Sequence, residues 1–164
     1  MQSSFYKLKR QIEILALIEK NPSQYSVHDL CAKFDIEIPT INRDLKELRS
    51  HGFDIHSAKR RLKLFRTLKE SDYNTLLAMY LPLANTVIGF PKNISLTTKK
   101  LKERSLDVFV SLVKAIESKR ELEITYLKIY DNEIVVRCVQ PYQLIPTMKE
   151  WIMIAKNENV FKQF

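Results

Sequence analysis

The chain has 164 residues, of which 45% are apolar and 28% charged, with two glycines, six prolines and a formal net charge of +8. This composition excludes collagen-like and linker-like sequences and a wholly disordered chain, and it leaves room for one sizeable core or two small ones. The N-terminal stretch MQSSFYKLKRQIEILALIEK scatters charges through its apolar positions, and no apolar run reaches the roughly 18 residues of a membrane span, so a cytoplasmic protein with no membrane partner is expected.

The charge is unevenly distributed. Residues 1–68 hold 13 Lys/Arg against 8 Asp/Glu, residues 69–105 hold 6 against 3, and residues 106–164 hold 8 against 8. A basic front half joined to a neutral back half suits a polyanion-binding module followed by a domain of different purpose, because neutralising phosphates needs clustered cations. Cys31 and Cys138 lie far apart in sequence and are expected to be packing thiols rather than a disulfide or a metal pair.

From Phe5 to Lys20 the apolar residues Leu8, Ile12, Leu15 and Ile18 follow helical spacing, and Asn21-Pro22 ends the pattern. Ser26 then precedes Val27-His28-Asp29, an S-x-x-D capping box that starts a second helix through Leu30, Cys31 and Phe34. A third helix begins near Glu37 with Pro39 in its first turn, where the missing N–H costs nothing, and Gly52 stops it. At 100° per residue, Ile41, Leu45 and Leu48 form a buried stripe, while Pro39, Arg43, Lys46 and Ser50 point the opposite way. Three short helices with a tight turn between the second and third describe a helix-turn-helix. Beyond Gly52, residues 53–56 and 62–65 read as two short strands around Ser57-Ala58-Lys59-Arg60-Arg61, a wing whose tip carries three consecutive cations.

The segment IPTINRDLKELRSHGFDI resembles the T-I-x-R-D-L-x-x-L core of deoxyribose-repressor-like winged helix domains, at Thr40-Ile41, Arg43-Asp44-Leu45 and Leu48. It departs from that pattern in having Glu37 where the family places a serine cap and in lacking a glycine at the wing tip. The resemblance implies that double-stranded DNA is the partner, with Thr40 and Arg43 approaching it first and Asn42 and Lys46 reaching bases or phosphates further along the groove. Arginine can fork onto guanine and asparagine onto adenine, so the residue types suit that role. Lys59, Arg60 and Arg61 would set position on the backbone. Ser26 and Pro39, at the starts of the second and third helices, complete the expected DNA-facing set, whereas Asp44 is expected to hold Arg43 or a neighbouring cation.

Ser71-Asp72 opens a further helix in which Tyr73, Leu76, Leu77, Tyr80 and Leu81 cluster on one side before Pro82. GFPKNISLTT, residues 89–98, reads as a loop, and Lys99, Lys100, Lys102 and Arg104 follow as a solvated basic cluster. Leu106, Phe109, Val110, Val113 and Ile116 mark another helix, closed by Ser118-Lys119-Arg120. The period then changes to two: Leu122, Ile124 and Tyr126 alternate with polar residues, Tyr130 to Glu133 turns, Ile134 to Val139 returns, and Tyr142 to Ile145 and Trp151 to Ala155 fit two more strands.

This second stretch resembles the WYL domain at Ala115-Ile116, Leu122, Ile124, Tyr126, Arg137, Val139, Pro141 and Trp151, with Trp151-Ile152-Met153 in place of the Trp-Tyr-Leu signature. The resemblance implies a partial Sm/SH3-like barrel that senses a nucleotide or oligonucleotide, with Tyr126, Arg137 and Trp151 as candidate ligand residues. It also implies an incomplete barrel, the chain being a fragment or the open edge being closed by a partner strand. The expected organisation is therefore α+β: a winged helix-turn-helix over 1–66, a helical linker over 67–105, and a WYL-like sensor over 106–164. A homodimer is expected, because one helix reads only a few base pairs. His28, His51 and His56 form no metal spacing and no nucleophile or phosphate-loop motif is present, so neither catalysis nor a cofactor is expected. RNA binding or protein assembly is the rival reading.

Overall fold

The computed structural model describes residues 2–84, 87, 94–128, 130, 132–148 and 150–164, the side chains of residues 2 and 3 excepted. The chain divides into two compact units, Met1–Leu76 and Leu77–Phe164.

In the first unit α1 (Gln2–Lys20), α2 (Val27–Phe34) and α3 (Ile38–Ser50) precede a hairpin of β1 (Ile55–Ala58) and β2 (Arg61–Leu64), and α4 (Glu70–Tyr80) carries the chain across the division. Burial on α1 is wider than a single stripe, since Ile14 and Ala16 are as deeply enclosed as Ile12, Leu15 and Ile18. The Ser26 box caps α2 as its spacing requires: Ser26 Oγ accepts from Asp29 N at 3.2 Å, and the Asp29 carboxylate accepts from Ser26 N at 2.7 Å. On α3 the stripe Ile41, Leu45 and Leu48 is buried, at 0, 2 and 3% exposure. Glu37, at the N-cap of α3, makes no side-chain cap bond, so Pro39 in the first turn is what favours a helix there. Gly52 leaves the helix with φ 91°, and Phe53 N bonds back to Leu48 O at 3.1 Å.

The wing is tighter than the sequence suggests. Ala58 pairs with Arg61, so the turn is Lys59-Arg60 alone, and Arg61 is the first residue of β2. Both turn residues take the left-handed conformation, φ 50° and 62°, which a two-residue hairpin demands and which glycine would accept without strain. The α1–α2 loop completes the ribbon: Ser23 N donates to Leu62 O at 2.9 Å, and Leu62 N donates to Tyr25 O at 2.7 Å.

In the second unit a short 3₁₀ turn, Leu81–Leu83, is followed by α5 (Ile94–Leu101), α6 (Ser105–Ser118) and four antiparallel strands, β3 (Leu122–Lys128), β4 (Glu133–Pro146), β5 (Trp151–Asn157) and β6 (Val160–Gln163), in the order β3-β4-β5-β6. Three readings are corrected here. Ile94 to Thr98 are helical rather than loop, Thr98 being buried, while residues 89–93 of that stretch lie outside the described residues. The two short strands expected at 134–139 and 142–145 are one strand, β4, which absorbs Pro141 through a bulge between Pro141 and Gln143. A fourth strand, β6, follows a turn in which Glu158 and Asn159 have φ 48° and 65°.

Pairing puts Leu122, Ile124 and Tyr126 opposite Val139, Arg137 and Val135, and puts Leu144 and Pro146 opposite Met153 and Trp151. Because directly paired residues share a face, these side chains line one side of the sheet. Leu106, Phe109, Val110 and Val113 of α6 are buried, and Phe109 packs edge-on against Trp151 at 4.9 Å between ring centroids. The sheet curls far enough that Tyr126 of β3 meets Phe164, just beyond β6, at 5.4 Å.

Candidate nucleic-acid interface

The two faces of α3 have opposite electrostatic fates. Its inward acids are consumed by α1: Asp44, 1% exposed, accepts from Arg10 Nε at 2.7 Å and from Gln11 Nε2 at 3.2 Å. Glu47 accepts from Lys7 Nζ at 2.5 Å and Gln11 Nε2 at 2.7 Å, and these bonds hold its carboxyl below the usual carboxylate range. The cation that Asp44 holds is therefore Arg10, not Arg43. Sequence reading missed this network because its partners are 33 to 40 residues apart. A signal did exist: Lys7 and Arg10 share the three-residue spacing of Asp44 and Glu47.

On the outward face Pro39, Asn42, Arg43 and Lys46 are exposed and Thr40 is half-buried. Among the described residues the side chains of Asn42, Arg43 and Lys46 make no hydrogen bond or ion pair. With its acids sequestered, α3 presents net positive charge and free donors on this side, as readout of a groove requires. Lys59 and Arg60 at the wing turn are likewise exposed and unpaired among the described residues.

Two residues of the expected set are already engaged. The Ser26 hydroxyl donates to Asp29 Oδ2 at 2.8 Å besides accepting the Asp29 amide. Arg61 Nη1 donates to Gln24 O at 2.6 Å and to Asp29 Oδ2 at 2.7 Å. The backbone amide and hydroxyl of Ser26, and then the Arg61 charge, hold the Asp29 carboxyl below its ordinary range.

In the second unit the three candidate ligand residues share one face of the sheet but do not converge. Tyr126 and Arg137 are diagonal neighbours on β3 and β4. Arg137 Nη1 donates to Asn157 Oδ1 at 3.1 Å, which ties it to the far end of β5 from Trp151. Those six residues of strand correspond to about 20 Å. Trp151 belongs to the packing against α6, and its buried Nε1 finds no partner among the described residues. What gathers around Arg137 instead is a set that sequence reading did not name: Lys162 Nζ also donates to Asn157 Oδ1, at 3.4 Å, and Asn157 Nδ2 donates to Cys138 O at 3.1 Å. Two cations thus meet on one neutral amide, and the buried Arg137 Nε is unpartnered among the described residues.

Among the described residues no helix is long and apolar enough to cross a membrane, and no group of three His, Cys, Asp or Glu is placed to hold a metal ion. No curated protein matches the sequence. One solved structure similar to the chain is proteasome accessory factor B/C (PafBC) of Arthrobacter aurescens, with 17% sequence identity and a TM-score of 0.38, over 98% of this chain and 31% of that one. This chain therefore spans about a third of the length of that relative. An HTH domain family matches residues 10–61 and the WYL domain family matches residues 107–164. The two matched segments follow one another along the chain, the HTH domain first and the WYL domain second.

Proposed function

We propose that this protein is a sequence-specific regulator that reads duplex DNA with the outward face of α3 and rests its wing turn on the phosphate backbone. The observation that carries the reading is the division of charge on α3. Asp44 and Glu47 are tied to α1 while Asn42, Arg43 and Lys46 stand exposed and unpaired among the described residues. In this reading Thr40 and Arg43 meet base edges first, Asn42 and Lys46 reach further along the groove, and Lys59 and Arg60 neutralise phosphates. Pro39 and Ser26 act by starting α3 and α2 in the right place. The protein works as a homodimer in the cytoplasm, each copy reading one half-site.

The WYL domain is the responsive half. Its ligand is a nucleotide or oligonucleotide, held at Arg137 with Tyr126 as a stacking face, because two cations sharing one neutral amide attract a phosphate. Trp151 takes part through the packing beneath that face rather than as a direct contact.

The test is binding of the purified chain to duplexes from the DNA around its own gene, across a salt series, against random duplexes of equal length. A preference of about a thousandfold supports the reading. Equal, steeply salt-dependent binding to both would leave a non-specific basic module, and no binding to either would favour an RNA-binding or assembly role. For the sensor, Arg137→Ala is expected to abolish binding of a short single-stranded oligonucleotide, and retained binding would contradict the assignment.

A further inference from the structure

The run Lys59-Arg60-Arg61 looks uniform in sequence, yet its three cations stand in two different situations. Lys59 and Arg60 form the turn and are unpaired among the described residues. Arg61 opens β2 and directs one guanidinium nitrogen to both Gln24 O and Asp29 Oδ2. That carboxylate oxygen also accepts from the Ser26 amide at 2.7 Å and the Ser26 hydroxyl at 2.8 Å, so it gathers three donors from the wing and from the start of α2. We infer that Arg61 is a positioning residue: it ties the wing to the first turn of α2, so that the Lys59-Arg60 turn and the reading face of α3 can engage one duplex together.

A hairpin of two four-residue strands is not stable by itself and must be held by its surroundings. Here the hairpin is held by the burial of Ile55 and Leu62, by Arg49 Nε donating to Ile55 O at 2.7 Å, by the two backbone bonds between Leu62 and the α1–α2 loop, and by the Arg61 contacts beside them. A guanidinium already paired with a carboxylate at 2.7 Å is also locally neutral, so it releases few counterions from DNA compared with an unpaired cation. Arg61 therefore acts through geometry and its two neighbours through charge.

This inference rests on the DNA-binding reading, and the experiment separates the two. In the full chain, Arg61→Ala is expected to weaken binding of the preferred duplex roughly fivefold while leaving the slope of log affinity against log salt unchanged. Arg60→Ala is expected to flatten that slope by about 0.9. In an Asp29→Ala background, Arg61→Ala should quicken amide exchange at Ser23 and Leu62 less than it does alone, because part of the strut is already broken. Without DNA, amide exchange at Ser23 and Leu62 should quicken in both single variants. A slope change near 0.9 for Arg61→Ala, an undiminished effect in the Asp29→Ala background, or unchanged exchange at Ser23 and Leu62 would each overturn the proposal. A wild-type chain with no duplex preference would instead sink the DNA reading, and the exchange measurement would still decide the strut.

Discussion

The wing turn offers a substitution whose effects on stability and on binding should have opposite signs. Lys59 and Arg60 occupy left-handed backbone at φ 50° and 62°, where a side chain with a Cβ costs about 1–2 kcal/mol per residue relative to its preferred region. Asn-Gly fits the same two-residue turn without that strain, although glycine returns roughly 0.5–1 kcal/mol through the freedom it adds to the unfolded chain. Neither cation has an ion pair to lose among the described residues, so the double change Lys59→Asn/Arg60→Gly should stabilise the first unit by about 1 kcal/mol net. In a unit of this size that raises the melting temperature by roughly 4–8 °C, measured by helical circular dichroism, and slows exchange of the Leu62 amide. The same variant should bind every duplex more weakly, with the salt slope flattened by about 1.8 for two lost phosphate contacts. Stabilisation with unchanged DNA binding would remove the wing from the interface. Loss of stability would show that the turn is not strained and that its cations are not retained at the expense of folding.

Other outcomes follow from the same structure. Asp44→Ala leaves Arg10 and Gln11 facing an empty acceptor site at a side chain only 1% exposed; since Arg10 is 20% exposed and reaches water, the cost should be about 2–3 kcal/mol by denaturant unfolding. Against a total near 4–11 kcal/mol for a unit of this length, that is a large fraction. Gly52→Ala should destabilise by about 1 kcal/mol through the φ of 91° alone, because an added Cβ meets nothing within 4 Å, and Gly52→Asn should cost less. The hydrogen bond from the exposed Cys138 thiol to Glu121, with the Glu121 and Glu123 charges, pushes that thiol up. Alkylation of Cys138 at pH 8 should therefore be slow and should quicken in Glu121→Gln; equal rates would contradict that cause. Asp29 has a depressed folded-state value, so the support it gives to α2 and to Arg61 is fully present above pH 3.8 and is lost only as pH falls through the lower folded value. The excess Leu62 exchange protection of the wild type over Asp29→Ala, corrected for intrinsic rate, should thus hold at neutral and mildly acidic pH and shrink only at more acidic pH.

Most of the α+β architecture was legible because it rests on local signals. The Ser26 box, Pro39 in the first turn and the Ile41, Leu45, Leu48 stripe each act within a few residues, and each stands where its chemistry puts it. Strand β4 was harder: Pro141 reads as a break, and only the bulge that lets it sit in a continuous strand reveals otherwise. Strand β6 was missed because its four exposed residues carry no alternation, although Glu158-Asn159 was an available turn signal. At the candidate sites, exposure of Arg43 and Lys46 followed from helical phase, whereas the engagement of Arg61 could not. It depends on Gln24 and Asp29, 37 and 32 residues away, meeting β2 in space. For the same reason Tyr126, Arg137 and Trp151 looked like a trio in sequence, yet the strand register separates Trp151 from the other two.

The central claim is that α3 reads sequence, and the most direct measurement is the affinity of Arg43→Ala for the preferred duplex and for a random one at fixed salt. The account predicts that the preferred duplex loses roughly 1–3 kcal/mol while the random duplex weakens only as one lost charge requires, so that the ratio between them collapses. Equal loss on both duplexes would reduce Arg43 to a phosphate contact and contradict the assignment of this face as the reading surface.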